Sequence, residues 1–210
     1  MEFIKNKFEN LQQNSLPEQN SSDINEHLIK LFNYSSECNS VFETGVRGCI
    51  SSWAFLYGLL NNNNGIHKKI LCNDINECNI DELLKASEGF DIEINYIWKN
   101  NLTIDIHDNY DITFIDTWHI YGQLKRELEK FSKITNKYII MHDTTIDGEI
   151  GESIRNGWDP VKQSIETGIP VDEIYKGLWV AIEEFLEKNP EWYLIHRYTN
   201  NNGLTILGKK

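Results

Sequence analysis

The sequence predicts an α/β fold, a doubly wound and mostly parallel sheet whose last strand runs antiparallel. Three observations predict it. First, YDITFI before Asp116 and YIIM before His142 are short β-branched and aromatic runs, as expected of strands buried on both faces. Second, Ile120, Leu124, Leu128, Phe131 and Ile134 recur between them at three- and four-residue spacing, while Lys125, Arg126, Glu127, Glu129 and Lys130 take the other face, which describes an amphipathic crossover helix. A right-handed crossover makes the two strands parallel and brings Asp116 and the His142-Asp143 pair out on the carboxyl edge, where open α/β sheets bind ligands. Third, WYLIHRY and LTILG flank the turn residues NNNG and read as an antiparallel hairpin.

The other elements follow in order. Residues 1–22 are polar and end in LPEQNSS, so a flexible N-terminal arm is expected, followed by a single domain over 23–210. Asp23 and Glu26 mark a helix start, with Ile24, Leu28, Leu31 and Phe32 as its apolar stripe. Val41 and Phe42 lead a short strand into ETGVRG and then into a helix with Trp53, Leu56, Tyr57 and Leu60 inward, ended by the Asn-rich run at 61–65. KKILCND is the second strand, closing on Asp74, and IEINYIW the third, closing near Asn100. After the fifth strand, residues 146–176 contain four glycines and the breakers WDP and GIP without sustained periodicity, and a loop of that length in a compact domain reads as a substrate lid. Helical spacing resumes at Leu178, Ile182, Phe185 and Leu186, with Pro190 just beyond. Five β/α units and a hairpin give seven strands.

Composition narrows the function. With 40 % hydrophobic residues in 210, the chain can fill one core, and a net charge of -12 disfavours nucleic acid or an anionic membrane as partner, since both would be repelled at long range. Cys38, Cys49, Cys72 and Cys78 include no CxxC pair, so thiols in a reducing compartment are expected. No signal-like or membrane-length apolar run is present, so a cytoplasmic protein is expected. The sequons at Asn20, Asn33 and Asn101 carry no weight in so Asn-rich a chain. Homo-oligomerisation is left open.

At the first strand-to-helix turn, Glu43-Thr44-Gly45-Val46-Arg47-Gly48 offers backbone N–H groups to a ligand. It departs from G-x-G-x-x-G because Glu43 fills the first glycine position, where a carboxylate would crowd a pyrophosphate; a ligand carrying an amine or sulfonium suits it better. Asp74, ending the second strand, stands where an acid accepts ribose hydroxyls, the bland alternative being a solvated loop acid. Asp116 and Asp143 can likewise be read as strand-ending helix caps, and His142 as a packed imidazole.

Together, E-x-G at the first strand, the acid ending the second and the reversed hairpin resemble class I S-adenosylmethionine-dependent methyltransferases, which have a Rossmann-like seven-stranded sheet. FIDTWHIYGQLKREL followed by YIIMHDTT is similar to the group of macrocin-type sugar O-methyltransferases and cephalosporin hydroxylase-like proteins, and GLWVAIEEFLEKNPEWYLIHRYTNNNGLTIL resembles bacterial and viral glycan methyltransferase domains. The resemblance spans about residues 23–208, with D-T-W-H and H-D-T its most specific parts. It implies that Glu43, Gly45 and the turn through Arg47 and Ser51 hold the methionine end of S-adenosylmethionine, Asp74 the ribose, and Asn100 or Asn101 the adenine. Many relatives carry an acid at that last position. It further implies a divalent ion on Asp116, His142 and Asp143, with Asp116 also contacting donor and sharing in catalysis. Oxygen ligands suit Mg²⁺, and His142 in place of an acid favours Mn²⁺. His119, three residues after Asp116, matches the general base of the sugar methyltransferases.

The resulting expectation is O-methylation of a sugar or glycan hydroxyl, or of a similar small molecule. An alcohol is a poor nucleophile, so a metal that lowers its pKa and a base that takes its proton answer the same need. Two alternatives are an oxygenase of the cephalosporin hydroxylase type and a non-catalytic nucleotide-binding module.

Overall fold

The structure is a computed structural model describing residues 1–13 and 22–210. Backbone contacts gather the chain into two compact units, Met1–Ile115 and Asp116–Lys210.

The first unit begins with α1 (Glu2–Gln12), a 3-10 turn (Asn25–His27) and α2 (Leu28–Ser35), then alternates β1 (Ser40–Thr44), α3 (Ile50–Asn61), β2 (Lys68–Asp74), α4 (Asp81–Ser87), β3 (Ile92–Trp98), a second 3-10 turn (Asn101–Thr103) and β4 (Tyr110–Ile115). β1 pairs in parallel with β2 on one side and β4 on the other, and β2 pairs in parallel with β3. The winding therefore reverses between β1 and β4, the switch point at which ligand crevices form. Only the short 3-10 turn bridges β3 to β4, in place of the helix that regular β/α alternation would put there.

The loose arm expected over residues 1–22 is corrected over most of its described length. Ile4, Phe8 and Leu11 are buried on one stripe of α1, and Phe8 lies with its ring 5.3 Å from Tyr57 and 5.5 Å from Phe32. An 11-residue helix is marginal in water on its own. Burial of three large apolar side chains, at roughly 1.5–3 kcal/mol each, is what holds it. Its partner α3 is buried on nearly all sides because α1 and α2 cover the face that would otherwise meet solvent. Residues 14–21 of the expected arm, with the Asn20 sequon, lie outside the described residues.

In the second unit, α5 (Tyr121–Phe131) and β5 (Thr135–His142) lead to α6 (Glu152–Arg155), α7 (Pro160–Thr167), α8 (Val171–Tyr175) and α9 (Leu178–Lys188), then β6 (Trp192–Tyr198) and β7 (Leu204–Lys209). β7 runs antiparallel to both β5 and β6. The strand order β3-β2-β1-β4-β5-β7-β6 is that of a Rossmann-like, mostly parallel seven-stranded sheet with its last strand reversed, as the sequence predicts.

Two expectations for this unit need correcting. Glu127, assigned by spacing to the solvent face of α5, is buried and its Oε1 accepts from Thr117 Oγ1 at 2.6 Å and Gln123 Nε2 at 2.8 Å; hydrogen bonds that periodicity cannot see hold it there. Residues 146–176 are three short helices rather than a structureless loop. Asp159 caps α7 through the N–H groups of Val161 and Lys162, with Pro160 in the first turn and Gly168 left-handed at the end, so WDP is a helix start and not only a breaker. The segment is stitched at its base: Gly151 N donates to Tyr175 O (3.0 Å), Gly177 N to Glu149 O (3.0 Å), and Leu178 N to Asp147 O (2.8 Å). At Gly177 a Cβ would lie 2.4 Å from the Gly148 carbonyl oxygen, so the two ends of the segment cross where only glycine fits.

Candidate functional site

In the first unit the register aligns Thr44 with Asn73 and Ile115, and Asp74 with Trp98, so β1, β2 and β3 deliver their following residues to one edge. Gly45 leaves β1 at φ 91, which a side chain would strain, and Arg47 and Cys49 also take left-handed angles before α3 begins. Such a tight turn presents backbone N–H groups toward the start of a helix, as an anionic ligand group requires.

The residues expected at the donor contribute to this edge, except Asp116, which belongs to the second unit, and most of them bond within it. Glu43 is fully buried and its two carboxylate oxygens accept from the hydroxyls of Ser51 and Ser52, the latter at 2.6 Å. Glu43 and Ser51 are therefore joined behind the turn and fix the first turn of α3. Asp74 is buried rather than solvated; Arg47 N donates to Oδ2 at 3.0 Å and Asn76 N to Oδ1 at 2.8 Å. Each oxygen keeps a further lone pair with which to accept a hydroxyl. Asn101 Nδ2 donates to Thr44 Oγ1 (3.0 Å), which donates to Asn73 Oδ1 (3.0 Å), while Asn73 Nδ2 donates to the carbonyls of Ile97 and Lys99. Asn100 Oδ1 caps the following 3-10 turn through Leu102 N. Asn73, which no motif singled out, thus ties β1, β2 and β3 together. A buried asparagine in an apolar strand end was its only signal.

The second unit gathers the charged candidates. Asp116 follows β4; Thr117 turns to Glu127; Trp118 Nε1 donates to Ser153 Oγ at 3.0 Å and packs against Ile120, Ile169 and Ile174; and His119 is left facing inward. Its Nε2 lies 3.1 Å from Asp116 Oδ1 and 3.2 Å from Asp143 Oδ2, and its Nδ1 lies 3.3 Å from Asp147 Oδ2 and 3.7 Å from Glu152 Oε2. At the end of β5, His142 has a fully buried side chain whose Nε2 meets the Asn201 carbonyl at 3.2 Å. A carbonyl can only accept, so Nε2 carries the proton and Nδ1 faces Asp116 Oδ1 (3.6 Å) and Asp143 Oδ2 (3.3 Å). Asp143 itself sits at φ 56.

Buried acids and imidazoles so close shift one another. Burial alone would lower the pKa of both histidines, but the Asp116 and Asp143 carboxylates outweigh it at His142 and push that ring up to about 10. His119 is raised well above its ordinary value as well, because hydrogen bonding to Asp116 and Asp147 and the charge of Asp143 overcome its desolvation. Burial works to raise Asp116, yet the His142 charge and the His119 hydrogen bond carry it below the ordinary carboxylate range. Asp147 is lowered in the same way, against its burial, by His119 and Arg155. The cluster is therefore a set of carboxylates that demands positive charge.

A divalent ion is one way to meet that demand, and the residues fit it. One ligand atom each of Asp116, His142 and Asp143 comes within 4.8 Å of the others. Asp143 Oδ1 is buried and accepts no hydrogen bond. His142, with its other ring nitrogen donating to a carbonyl, has the outer contact that fixes a ligating imidazole. Among the described residues a second set, His119, Asp143 and Asp147, meets the same distance. There, however, Arg155 Nε and Nη2 already donate to both Asp147 oxygens, at 2.6 and 3.0 Å. Asp147, Glu152 and Arg155 belong to the cluster but to no motif, and Asp147 stood in the sequence only as an acid four residues past Asp143.

No protein-family model matches the chain, and no curated protein does. Solved structures do. An O-methyltransferase from Bacillus cereus in complex with S-adenosylhomocysteine (SAH) aligns at TM-score 0.58 and 14% identity, covering 100% of this chain and 91% of that one. TomG from Streptomyces achromogenes, an O-methyltransferase of tomaymycin synthesis in complex with SAM, aligns at TM-score 0.58 and 11% identity, covering 100% and 90%. The N-methyltransferase NodS from Bradyrhizobium japonicum, in complex with SAH, aligns at TM-score 0.55 and 12% identity, covering 99% and 97%. This chain has the methyltransferase fold those proteins share, and since O- and N-methyltransferases both have it, the fold leaves the acceptor atom to the site.

Proposed function

We propose that the protein is an S-adenosylmethionine-dependent O-methyltransferase acting on a hydroxyl of a sugar, glycan or similar small molecule, with a divalent ion on Asp116, His142 and Asp143 and His119 as general base. The observation that carries this reading is His119 Nε2, 3.1 and 3.2 Å from carboxylates of the same cluster whose Asp143 oxygen lacks a partner. An N-methyltransferase needs no metal to activate its acceptor, because an amine that binds in its neutral form already has a nucleophilic lone pair. The sugar assignment is supported by the D-T-W-H and H-D-T motifs.

In this reading the turn from Gly45 to Ser51 and Asp74 bind the donor, with Glu43 shaping that turn and the 3-10 turn at Asn100 and Asn101 bounding the adenine. The ion, when bound, lowers the acceptor hydroxyl's pKa. With the carboxylates' demand for positive charge met by the ion, His119 is neutral and removes the hydroxyl proton, the oxygen takes the methyl group from the sulfonium, and S-adenosylhomocysteine leaves. Residues 146–176 cover the acceptor. The oxygenase alternative is not favoured, since the reported neighbours of the fold are methyltransferases.

The test is titration calorimetry with S-adenosylmethionine and with NAD, followed by mass-spectrometric detection of S-adenosylhomocysteine in the presence of Mg²⁺ or Mn²⁺ and a panel of methyl glycosides, with an amine panel as control. Micromolar donor binding and methyl ethers on a glycoside are expected. Binding of NAD instead of the donor, or transfer to amines alone, would overturn the proposal.

A further inference from the structure

Arg197 has no part in the cluster described above, yet the topology brings it to the same edge. In β6 it pairs with Thr205 of β7, which pairs in turn with Met141 of β5. Two antiparallel steps make β6 parallel to β5, so Arg197 comes out on the carboxyl edge with His142 and Asp143, two strands or about 10 Å away across the sheet. Its Cζ lies 3.7 Å from the ring centre of Trp179, in the first turn of α9, and its Nη2 lies 3.5 Å from the carbonyl of Thr144, one residue past Asp143. A Cβ on Gly148 would stand 3.5 Å from the same nitrogen, so the guanidinium lies against the turn that follows Asp143. The other arginines of this unit are matched by acids, Arg126 by Glu173 and Arg155 by Asp147. Arg197 forms no ion pair with a described residue, its Nε is buried without an acceptor, and its one carbonyl contact is at the limit of a hydrogen bond. Stacking on Trp179 occupies a flat face of the guanidinium and leaves the donors in its plane unspent. In a chain of net charge -12, a half-buried guanidinium that no acid of the fold has claimed is positive charge held in reserve.

We propose that Arg197 binds an anionic group of the acceptor, a carboxylate or a phosphate, beside the cluster that activates its hydroxyl. This rests on the acceptor assignment above and narrows it to a sugar with an acidic substituent. The donors of a guanidinium form a planar fork that matches two oxygens of either group, and the Trp179 ring shields one face of that fork from water, which strengthens the contact. The first turn of α9, which carries Trp179, has no acidic residue and no side-chain cap, so its N-terminal dipole adds to the same field. An anionic acceptor approaching Asp116, Asp143 and Asp147 meets repulsion. Arg197 offsets it at the far end of the acceptor and leaves the hydroxyl to face the cluster.

The test compares three acceptor sets on the full-length protein with S-adenosylmethionine and Mg²⁺ or Mn²⁺: neutral methyl glycosides, the corresponding methyl glycosiduronates, and sugar phosphates. The wild type is expected to prefer one of the two anionic sets, and which one it prefers identifies the group as carboxylate or phosphate. Arg197→Gln should lower kcat/KM on the preferred anion roughly 10- to 100-fold, mostly through KM, while a neutral glycoside changes by less than about threefold. Arg197→Lys keeps the charge but not the fork and should fall between the wild type and Arg197→Gln; it also carries the comparison if the glutamine variant does not fold. Calorimetry with the same glycosiduronates and sugar phosphates gives a readout that needs no turnover, and the substitution should weaken binding by a similar factor. Equal losses on neutral and anionic acceptors would make Arg197 a structural partner of Trp179, and a wild type that prefers neutral glycosides would leave it no anion to bind; either result would overturn the inference with the methyltransferase reading intact. Anion binding that Arg197→Gln weakens, in a protein that forms no S-adenosylhomocysteine with any acceptor, would overturn that reading and leave the anion site standing.

Discussion

The two compact units use polar residues in opposite ways. In the first unit the acids and amides are satisfied by the fold: Glu43 by two serine hydroxyls, Asp74 by two backbone N–H groups, Asn73 by one hydroxyl and two carbonyls. In the second unit charge meets charge, and Asp143 Oδ1 is buried with no donor. A group whose bonds are complete holds shape, and a ligand must find its contacts in backbone and spare lone pairs. A group whose bonds are incomplete is waiting for a cation, a proton or a substrate. Under the proposed function, the difference separates a scaffold that binds from a cluster that reacts.

The largest effect that can test this contrast falls on the reacting cluster. His119→Ala should lower methyl transfer by about two to four powers of ten, the usual contribution of a positioned base, and leave donor binding by calorimetry nearly unchanged. Wild-type turnover in this variant would make His119 a structural member of a charged corner. Loss of donor binding with turnover would blur the contrast itself.

A smaller effect is expected at the binding scaffold. Gly45→Val would force a β-branched side chain into φ 91 at the turn, and Asp74→Ala would remove the acceptor that holds Arg47 N and Asn76 N. The loss of a charge-assisted hydrogen bond is worth about 1.5–3 kcal/mol, so each variant should bind S-adenosylmethionine roughly 10- to 100-fold more weakly in calorimetry. Unchanged affinity in both would move the donor away from this edge.

How far the sequence carries also differs between the two units. Strand runs, the stripe of α5 and the hairpin are periodic signals, and seven strands with a reversed last one follow from them. The stripe of Ile4, Phe8 and Leu11 was equally periodic but short, set among Asn, Glu and Gln, and its worth depends on Phe32 and Tyr57, which lie in other helices. The helices α6 to α8 have 4, 8 and 5 residues and are held by backbone bonds at their base, which leave no periodic trace. At the candidate site, motif spacing singles out Asp116, His119, His142 and Asp143, which lie together in the second unit. It cannot find Asp147 or Arg155, because what marks them is burial and a guanidinium fork, and it cannot foresee that Glu43 and Ser51 bond each other. Sequence shows which residues reach an edge; only the structure shows which of them have spent their hydrogen bonds.

The gentlest probe of the contrast is pH acting on the folded protein in excess chelator. His142 is raised to about 10 from an ordinary value near 6.5. A group bound more tightly to its proton in the folded state contributes stability that is fully present below the unfolded pKa and is lost as pH rises through the folded one. Between pH 6.5 and 9 the metal-free protein should therefore melt at progressively lower temperature, with a slope of up to about 1.4 kcal/mol per pH unit for one such proton. His119, raised in the same direction, adds to the trend. The buried thiols Cys49 and Cys72 are also raised, Cys49 to about 12, and would steepen the slope only near and above their ordinary value of 9.0, so the lower part of the window belongs to the histidines. His142→Gln, whose amide can still donate to the Asn201 carbonyl, removes the titrating ring and should flatten the curve of melting temperature against pH. A wild-type curve already flat over this range, or one that His142→Gln leaves equally steep, would show that the cluster does not hold its histidines as cations, and the charge-against-charge description of the second unit would fail with it.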